Sequence, residues 1–317
     1  MTAPPTLHAA LKTVLLRARL ETPTLPRELA RSRQQPVSWQ RRRLVMVAAD
    51  HPARRALAAG GAPLAMGHRV DLLWRLAEVL SQPGVDGMLA TPDIYEDLLV
   101  LNDWGSRVGA ADFLAGKIIV GSMNRSGLEG TVFELDDRIT AYTVRALRSM
   151  RLDGGKLLLR LDPESPAGVL TLQAVAGAVA QLDRSHLPAF IEPVSVPLNT
   201  ANMVRLIGVA TGLGPSSMQR WLKLPWVEDG DFQRLLDATT CPVLLLGGAH
   251  PGGTEELAAR TARAMAAGEQ VRGVMMGRGI LYPTDGASPI DAVRRLVAVV
   301  KEREEEMVSW LPPAFTP

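Results

Sequence analysis

Four charged residues sit in or at the end of short apolar runs, where charge is costly. Lys223 lies in "RWLKLPW", Lys156 in "GGKLLLRLD", Glu192 in "FIEPVSV", and Asp50 closes "RLVMVAAD". The chain holds only five lysines against thirty arginines, so two lysines in strand-like runs stand out. A lysine taken out of water and set beside another cation loses affinity for its proton. The neutral amine is a nucleophile able to form a Schiff base with a ketone or aldehyde. The protonated imine then draws electrons from a neighbouring C–C bond, which breaks to leave an enamine. A carboxylate such as Glu192 would move the hydroxyl proton that cleavage requires. A plain salt bridge of Lys223 with Glu192 or Asp50 is the simpler alternative.

Glycines supply a second signal. "LLLGGAHPGGTEEL" places Gly247 and Gly248 after one apolar run, and "VMMGRGILYP" places Gly277, Arg278 and Gly279 after the next. Glycine lets backbone N–H groups approach phosphate oxygens closely. Metal catalysis is the rival chemistry and needs several His, Asp or Glu ligands converging. Of the five histidines, only His51 and His250 follow strand-like runs, so a His51–Asp50–His250 site stays open. A serine triad has no G-x-S-x-G elbow to support it.

These residues need a scaffold, and the alternation of short apolar runs with amphipathic stretches describes one. The strand-like runs begin with "RLVMVAAD", "VDGMLAT", "KIIVGS" and "GGKLLLRLD", and continue with "PAFIEPVSV", "RWLKLPW", "CPVLLLGG" and "VRGVMMG". Each is followed by a helical pattern, giving eight units over roughly 265 residues, the count and length of a (β/α)8 TIM barrel. A doubly wound sheet is the competitor, but no G-x-G-x-x-G follows the first strand. We expect an N-terminal helical extension at 1–40, a barrel catalytic domain at 41–305 and a C-terminal tail at 306–317. In "TLHAALKTVLLRARL" the helical spacing should be broken off by Pro23, Pro26 and Pro36.

A barrel of this kind carries its chemistry at the carboxyl ends of its strands. Those ends hold Asp50 and His51, Thr91 and Asp93, Ser122 and Asn124, Arg160 and Asp162, Glu192, Lys223, and the two glycine clusters. Residues of equal parity share a strand face. Trp221 therefore goes with Lys223, Phe190 with Glu192, and Met46 and Ala48 with Asp50. In the fourth strand Lys156, Leu158, Arg160 and Asp162 go together. If those faces point inward, two lysines, a glutamate and an aspartate meet in the barrel mouth.

Composition narrows the function classes. The 317 residues are 47% hydrophobic and 4% aromatic, with a net charge of +2 and a pI near 8.9. That is ordinary globular composition. The longest apolar runs, about seven to ten residues, are too short to cross a bilayer. No secretory signal is evident at the N-terminus. The lone Cys241 suits a cytoplasmic protein and excludes an internal disulfide. Arg41-Arg42-Arg43 reads as a solvated strand entrance rather than a nucleic-acid patch, since no aromatics interleave.

In order and on the expected strands, the motifs resemble those of class I, Schiff-base aldolases of the tagatose-bisphosphate, sulfosugar and archaeal fructose-bisphosphate type. "VMVAADHPARRAL" resembles their first-strand D-Q-R or D-H-G segment, Asp50 matching the aspartate. "GGKLLLRLDPES" resembles the fourth strand of the tagatose group, Lys156 matching its lysine. "FIEPVSV" is similar to the L-E-P strand that supplies an acid/base glutamate, and "WLKLPW" to the strand whose lysine forms the imine. "VRGVMMGRGILYP" is similar to the G-V-x-x-G-R phosphate segment. His-Pro follows Asp50 where Gln-Arg is common, and Arg160 replaces an aromatic of the tagatose group. The chain looks most like an actinobacterial barrel family found with inositol-catabolism genes.

The resemblance implies a lyase without a cofactor or metal. Lys223 would be the nucleophile, Glu192 the proton carrier, Lys156 the group that lowers the pKa of Lys223 or holds a substrate oxygen, and Asp50 the residue that orients the amine or carbinolamine. Gly247, Gly248, Gly277 and Arg278 would hold phosphate. Arg54, Arg55, Arg125 or Arg160 would take a substrate carboxylate by a bidentate fork. The implied reaction is cleavage of 6-phospho-5-dehydro-2-deoxy-gluconate to dihydroxyacetone phosphate and malonate semialdehyde. The expected partner is a phosphorylated small molecule, with neither nucleic acid nor membrane. The N-terminal segment and the "WLPPAFTP" tail are candidates for contact in a homo-oligomer. A non-catalytic sugar-phosphate sensor, or a metal-dependent barrel lyase or isomerase, are the alternatives.

Overall fold

The computed structural model describes residues 5–125, 128–162, 164–227, 232–248 and 252–308. Helices α1 (Pro5–Glu21) and α2 (Leu25–Ser32) precede β1 (Leu44–Ala48), α3 (Arg69–Leu80), β2 (Gly87–Ala90) and α4 (Pro92–Arg107). Then come β3 (Ile118–Ser122), α5 (Val144–Ser149), β4 (Gly154–Leu161), α6 (Gly168–Arg184), β5 (Ala189–Ser195) and α7 (Thr200–Gly212). The chain continues through β6 (Arg220–Leu224), α8 (Phe232–Asp237), β7 (Val243–Leu245), α9 (Gly253–Ala267), β8 (Val271–Met276), α10 (Arg278–Leu281) and α11 (Pro289–Val308). The eight strands pair in parallel and in sequence order, and β8 returns to β1, closing the barrel. This is a (β/α)8 TIM barrel carrying N-terminal helices.

The strands are buried on both faces, as a parallel sheet walled by helices must be. Their outward residues pack under the helices in one large apolar layer. The inward residues Leu44, Met46, Ala48, Leu89, Ile118, Val120, Phe190, Trp221, Leu244 and Met275 form a separate cluster inside the tube. Parity thus assigns the inner face of each strand as alternation predicts.

Several local differences have plain causes. Pro26 does not end the first helix; it sits in the first turn of α2, where a proline forfeits no helical hydrogen bond. The stretch "TAYTVRALRSM" is helical only from Val144, because the Thr143 hydroxyl accepts the Ala146 N–H and caps the helix there. The residues before β1 are built into the barrel. Trp39 enters the inner cluster, with its ring 5.7 Å from Trp221 and 6.1 Å from Phe190. Arg33, only 7% exposed, donates from its guanidinium to the Lys117 carbonyl at 2.6 Å and pairs with Asp153 at 3.2 Å.

In the arginine cluster Arg41 and Arg42 are exposed, Arg42 pairing with Asp86 at 2.6 Å, while Arg43 is buried and donates to the Val271 carbonyl at 3.0 Å. α1 packs against α3 and α4 of its own barrel. α11 continues to Val308, and residues 309–317 of the expected tail lie outside the described residues. No helix among the described residues is long and apolar enough to cross a membrane.

Candidate active site

Four strands deliver one charged group each to the carboxyl end of the tube. Asp50 follows β1, Lys156 rises from β4, Glu192 stands on β5 and Lys223 on β6. All four are nearly sealed from solvent, with Lys156 1% and Lys223 5% exposed. Lys156 pairs with Phe190 in the β4–β5 register, while Leu158 pairs with Glu192. Lys156 is therefore rooted one tier deeper, in the aromatic layer, and its long side chain rises to the carboxylates. Its Nζ donates to Asp50 Oδ2 at 2.9 Å and lies 2.8 Å from Glu192 Oε2. The same Glu192 oxygen accepts from Lys223 Nζ at 3.0 Å. One carboxylate oxygen is thus shared by two lysine Nζ atoms.

That sharing separates the two lysines. Burial disfavours both charged forms. At Lys156, the attraction of Asp50 and then Glu192 overcomes burial, and the pKa rises above the ordinary lysine value. At Lys223 burial prevails, Glu192 opposes it and the charge on Lys156 adds to it, so the pKa falls. Burial alone would raise both acids, but Lys156 and then Lys223 outweigh it. Glu192 is lowered to about 2 and Asp50 well below its usual value. Lys156 is held as a cation, and Lys223 is the lysine biased toward a free amine.

Around this tier stand Arg54 on the loop after β1, Arg160 on β4 and Arg278 at the start of α10. Burial, then the charge on Arg54, lowers the pKa of both Arg160 and Arg278. The Nε atoms of Arg54, Arg160 and Arg278 are buried without a hydrogen-bond partner. Buried donors left unmatched call for an explanation, and a ligand acceptor is one.

Other candidates go elsewhere. Arg160 forms an ion pair with Glu134, so its guanidinium is not wholly open to a substrate carboxylate. Arg125 is tied to its own loop through Thr140, and Arg55 is exposed. Asp93 pairs with Arg69 and receives the Thr91 hydroxyl at 2.6 Å. Asn124, fully buried, bonds both the N–H and the carbonyl of Leu158 at 2.7 Å, bracing β4 next to Lys156. Asp162 lies past the end of β4 and lines a separate cavity against α6 and α7. His250 lies outside the described residues. Among the described residues, no three His, Cys, Asp or Glu groups cluster so as to hold a metal ion. Glu134 and Glu129 escaped sequence reasoning. They sit in a loop without periodicity, where only the fold shows which arginines they reach.

The glycine clusters take different parts. Gly248 adopts a left-handed φ of +61°, which favours glycine. Gly277 has an ordinary φ, and its demand is space: a Cβ there would lie 2.3 Å from the Ala48 carbonyl and 2.4 Å from His51 Cε1. A cavity of about 500 Å3 opens beside Gly248, Arg278, Gly279 and Tyr282, reaching Ala58–Pro63 on the loop after β1. It does not touch the four charged groups, which lie deeper. Charge and burial, not the void, mark the candidate site.

The fold and this tier define a (β/α)8 barrel with a buried two-lysine, two-carboxylate mouth. The chain belongs to the Cgl0159-like family, whose model matches residues 42–297. It is 36% identical to Cgl0159 from Corynebacterium glutamicum, a crystal structure matched over 96% of this chain and 100% of that one with a TM-score of 0.83. A Schiff-base-forming fructose-1,6-bisphosphate aldolase matches at 16% identity over 82% of this chain and 95% of that one, with a TM-score of 0.57. A fructose-bisphosphate aldolase from Slackia heliotrinireducens matches at 14% identity over 96% and 95%, with a TM-score of 0.60. At such identities the likeness to aldolases is one of fold. No curated protein matches the chain significantly.

Proposed function

We propose that the protein is a class I aldolase that cleaves a phosphorylated keto sugar or keto acid through a Schiff base on Lys223. The observation that carries this reading is a pair of buried lysines, on separate strands, that share Glu192 Oε2, with burial pushing Lys223 below its ordinary pKa. The neutral amine of Lys223 adds to the substrate ketone, and the carbinolamine loses water to give a protonated imine. Lys156 stays charged and supplies N–H donors to oxygens near the reacting carbon. Asp50, held by Lys156, fixes the direction of those donors.

Glu192 then takes the proton of the carbinol hydroxyl as the C–C bond breaks, and the bonding electrons pass into the imine to form an enamine. An aldehyde leaves, the enamine is protonated on carbon, and water returns to release the ketone.

The unmatched arginine nitrogens favour an anionic substrate. Arg278 with Gly247, Gly248 and Gly277 suits a phosphate. Arg54, with Arg160 beside it, suits a second anion such as a carboxylate. A substrate that carries both, and that the family resemblance suggests, is 6-phospho-5-dehydro-2-deoxy-gluconate, giving dihydroxyacetone phosphate and malonate semialdehyde. Borohydride reduction with dihydroxyacetone phosphate, followed by peptide mass mapping, tests the scheme. The expected result is one adduct on Lys223. An adduct on another lysine reassigns the nucleophile, and no adduct removes the imine.

A further inference from the structure

His51 is a buried titratable side chain that the scheme above leaves unused. Its side chain is 9% exposed, and Nδ1 has no hydrogen-bond partner. The backbone is pinned, because the His51 carbonyl accepts the Arg54 and Ala56 N–H groups, both at 3.1 Å. The ring is wedged between Asp50, whose Oδ1 is 3.8 Å from Nδ1, and the backbone of Gly277, where any Cβ would collide with Cε1. Burial, then Arg54, lowers its pKa well below the usual histidine value, with Arg278 and Lys223 adding to this and only Asp50 opposing. The imidazole is neutral at physiological pH.

We propose that His51 is a further substrate-binding residue, whose unpartnered ring nitrogen hydrogen-bonds the hydroxyl on the carbon next to the substrate carbonyl. This deepens the aldolase reading and rests on it only in placing the carbonyl at Lys223. A buried polar atom without a partner is destabilising unless a ligand supplies one. The ligand group is a hydroxyl rather than the phosphate. A neutral ring offers no charge to a dianion, and the cationic Arg278, whose charge is felt at His51, suits the phosphate better. His51 thus makes the mouth selective for α-hydroxyketone phosphates over their deoxy counterparts.

Calorimetric titration of the full chain with dihydroxyacetone phosphate and with its deoxy counterpart, hydroxyacetone phosphate, tests this. The wild-type protein should bind the hydroxylated probe about three- to tenfold more tightly, the worth of one hydrogen bond. His51→Ala should bring the ratio to about one while leaving affinity for the deoxy probe unchanged, and His51→Gln should restore part of it. Should His51→Ala not fold, His51→Leu gives the same comparison with the ring's volume nearly kept. An unchanged ratio in these variants, equal weakening of both probes, or no binding of either probe to the wild-type protein overturns the assignment. Borohydride capture run alongside separates the two ideas. A preserved hydroxyl preference without capture sinks the imine alone, and capture with no change of preference sinks the role of His51 alone.

Discussion

The two ends of the tube differ although the same strands build them. On β5 and β6, Phe190 and Trp221 face inward at one level, and Glu192 and Lys223 face inward two residues later. Near the amino end, Trp39, Phe190 and Trp221 sit with ring centroids 5.7 to 6.1 Å apart and close the tube with apolar rings. Toward the carboxyl end, the next inward residues of these two strands are charged and meet Lys156 and Asp50. Two residues of strand advance the chain by only about 6.6 Å. The aromatic floor thus lies directly under the charges and keeps water from them on that side. A dry floor makes burial the leading influence on Lys223, while the extra carboxylate reverses the outcome for Lys156.

The contrast can be broken from above or below. Lys223→Met should abolish borohydride capture and reduce cleavage by at least about 10⁴-fold, with the melting transition retained. Capture that survives in this variant would end the proposal. Glu192→Gln should lower turnover by about 10²- to 10⁴-fold, as for loss of a general base. It should still capture dihydroxyacetone phosphate, because imine formation does not require that carboxylate; a variant that turns over normally would strip Glu192 of its role.

Trp39→Ala opens the floor and should cost about 3–5 kcal/mol in urea unfolding, the range for a large core aromatic. Wild-type stability in that variant would mean that the floor and the charged tier are independent. The smallest effect belongs to Lys156→Met. It removes a positive neighbour of Lys223 and leaves Glu192 to Lys223 alone. Both changes raise the Lys223 pKa, so the rise of capture rate with pH should move to higher pH. A shift to lower pH would show that Lys156 does not help to keep Lys223 neutral.

Much of this was legible along the chain. Period-two alternation in "FIEPVSV" and "RWLKLPW" placed Glu192 and Lys223 on the same side as Phe190 and Trp221, and they share it in the structure. Parity ceased to inform past the strand ends. Asp162 shares the parity of Lys156 but leaves the mouth, because β4 ends at Leu161. Arg160 was legible as a mouth residue, but its partner Glu134 was not, since an irregular loop has no period to read. Trp39 read as part of an accessory segment because no strand pattern surrounds it.

The sequence by itself determined eight strand–helix units, the inward face of each strand and the types of charge at their ends, because these follow from local periodicity. Only the tertiary structure decided which lysine is the weaker base, how one carboxylate oxygen is shared, and that a neutral imidazole stands beside them. Those outcomes depend on distances between residues brought in by separate strands and on how much water is shut out. No local pattern encodes either quantity.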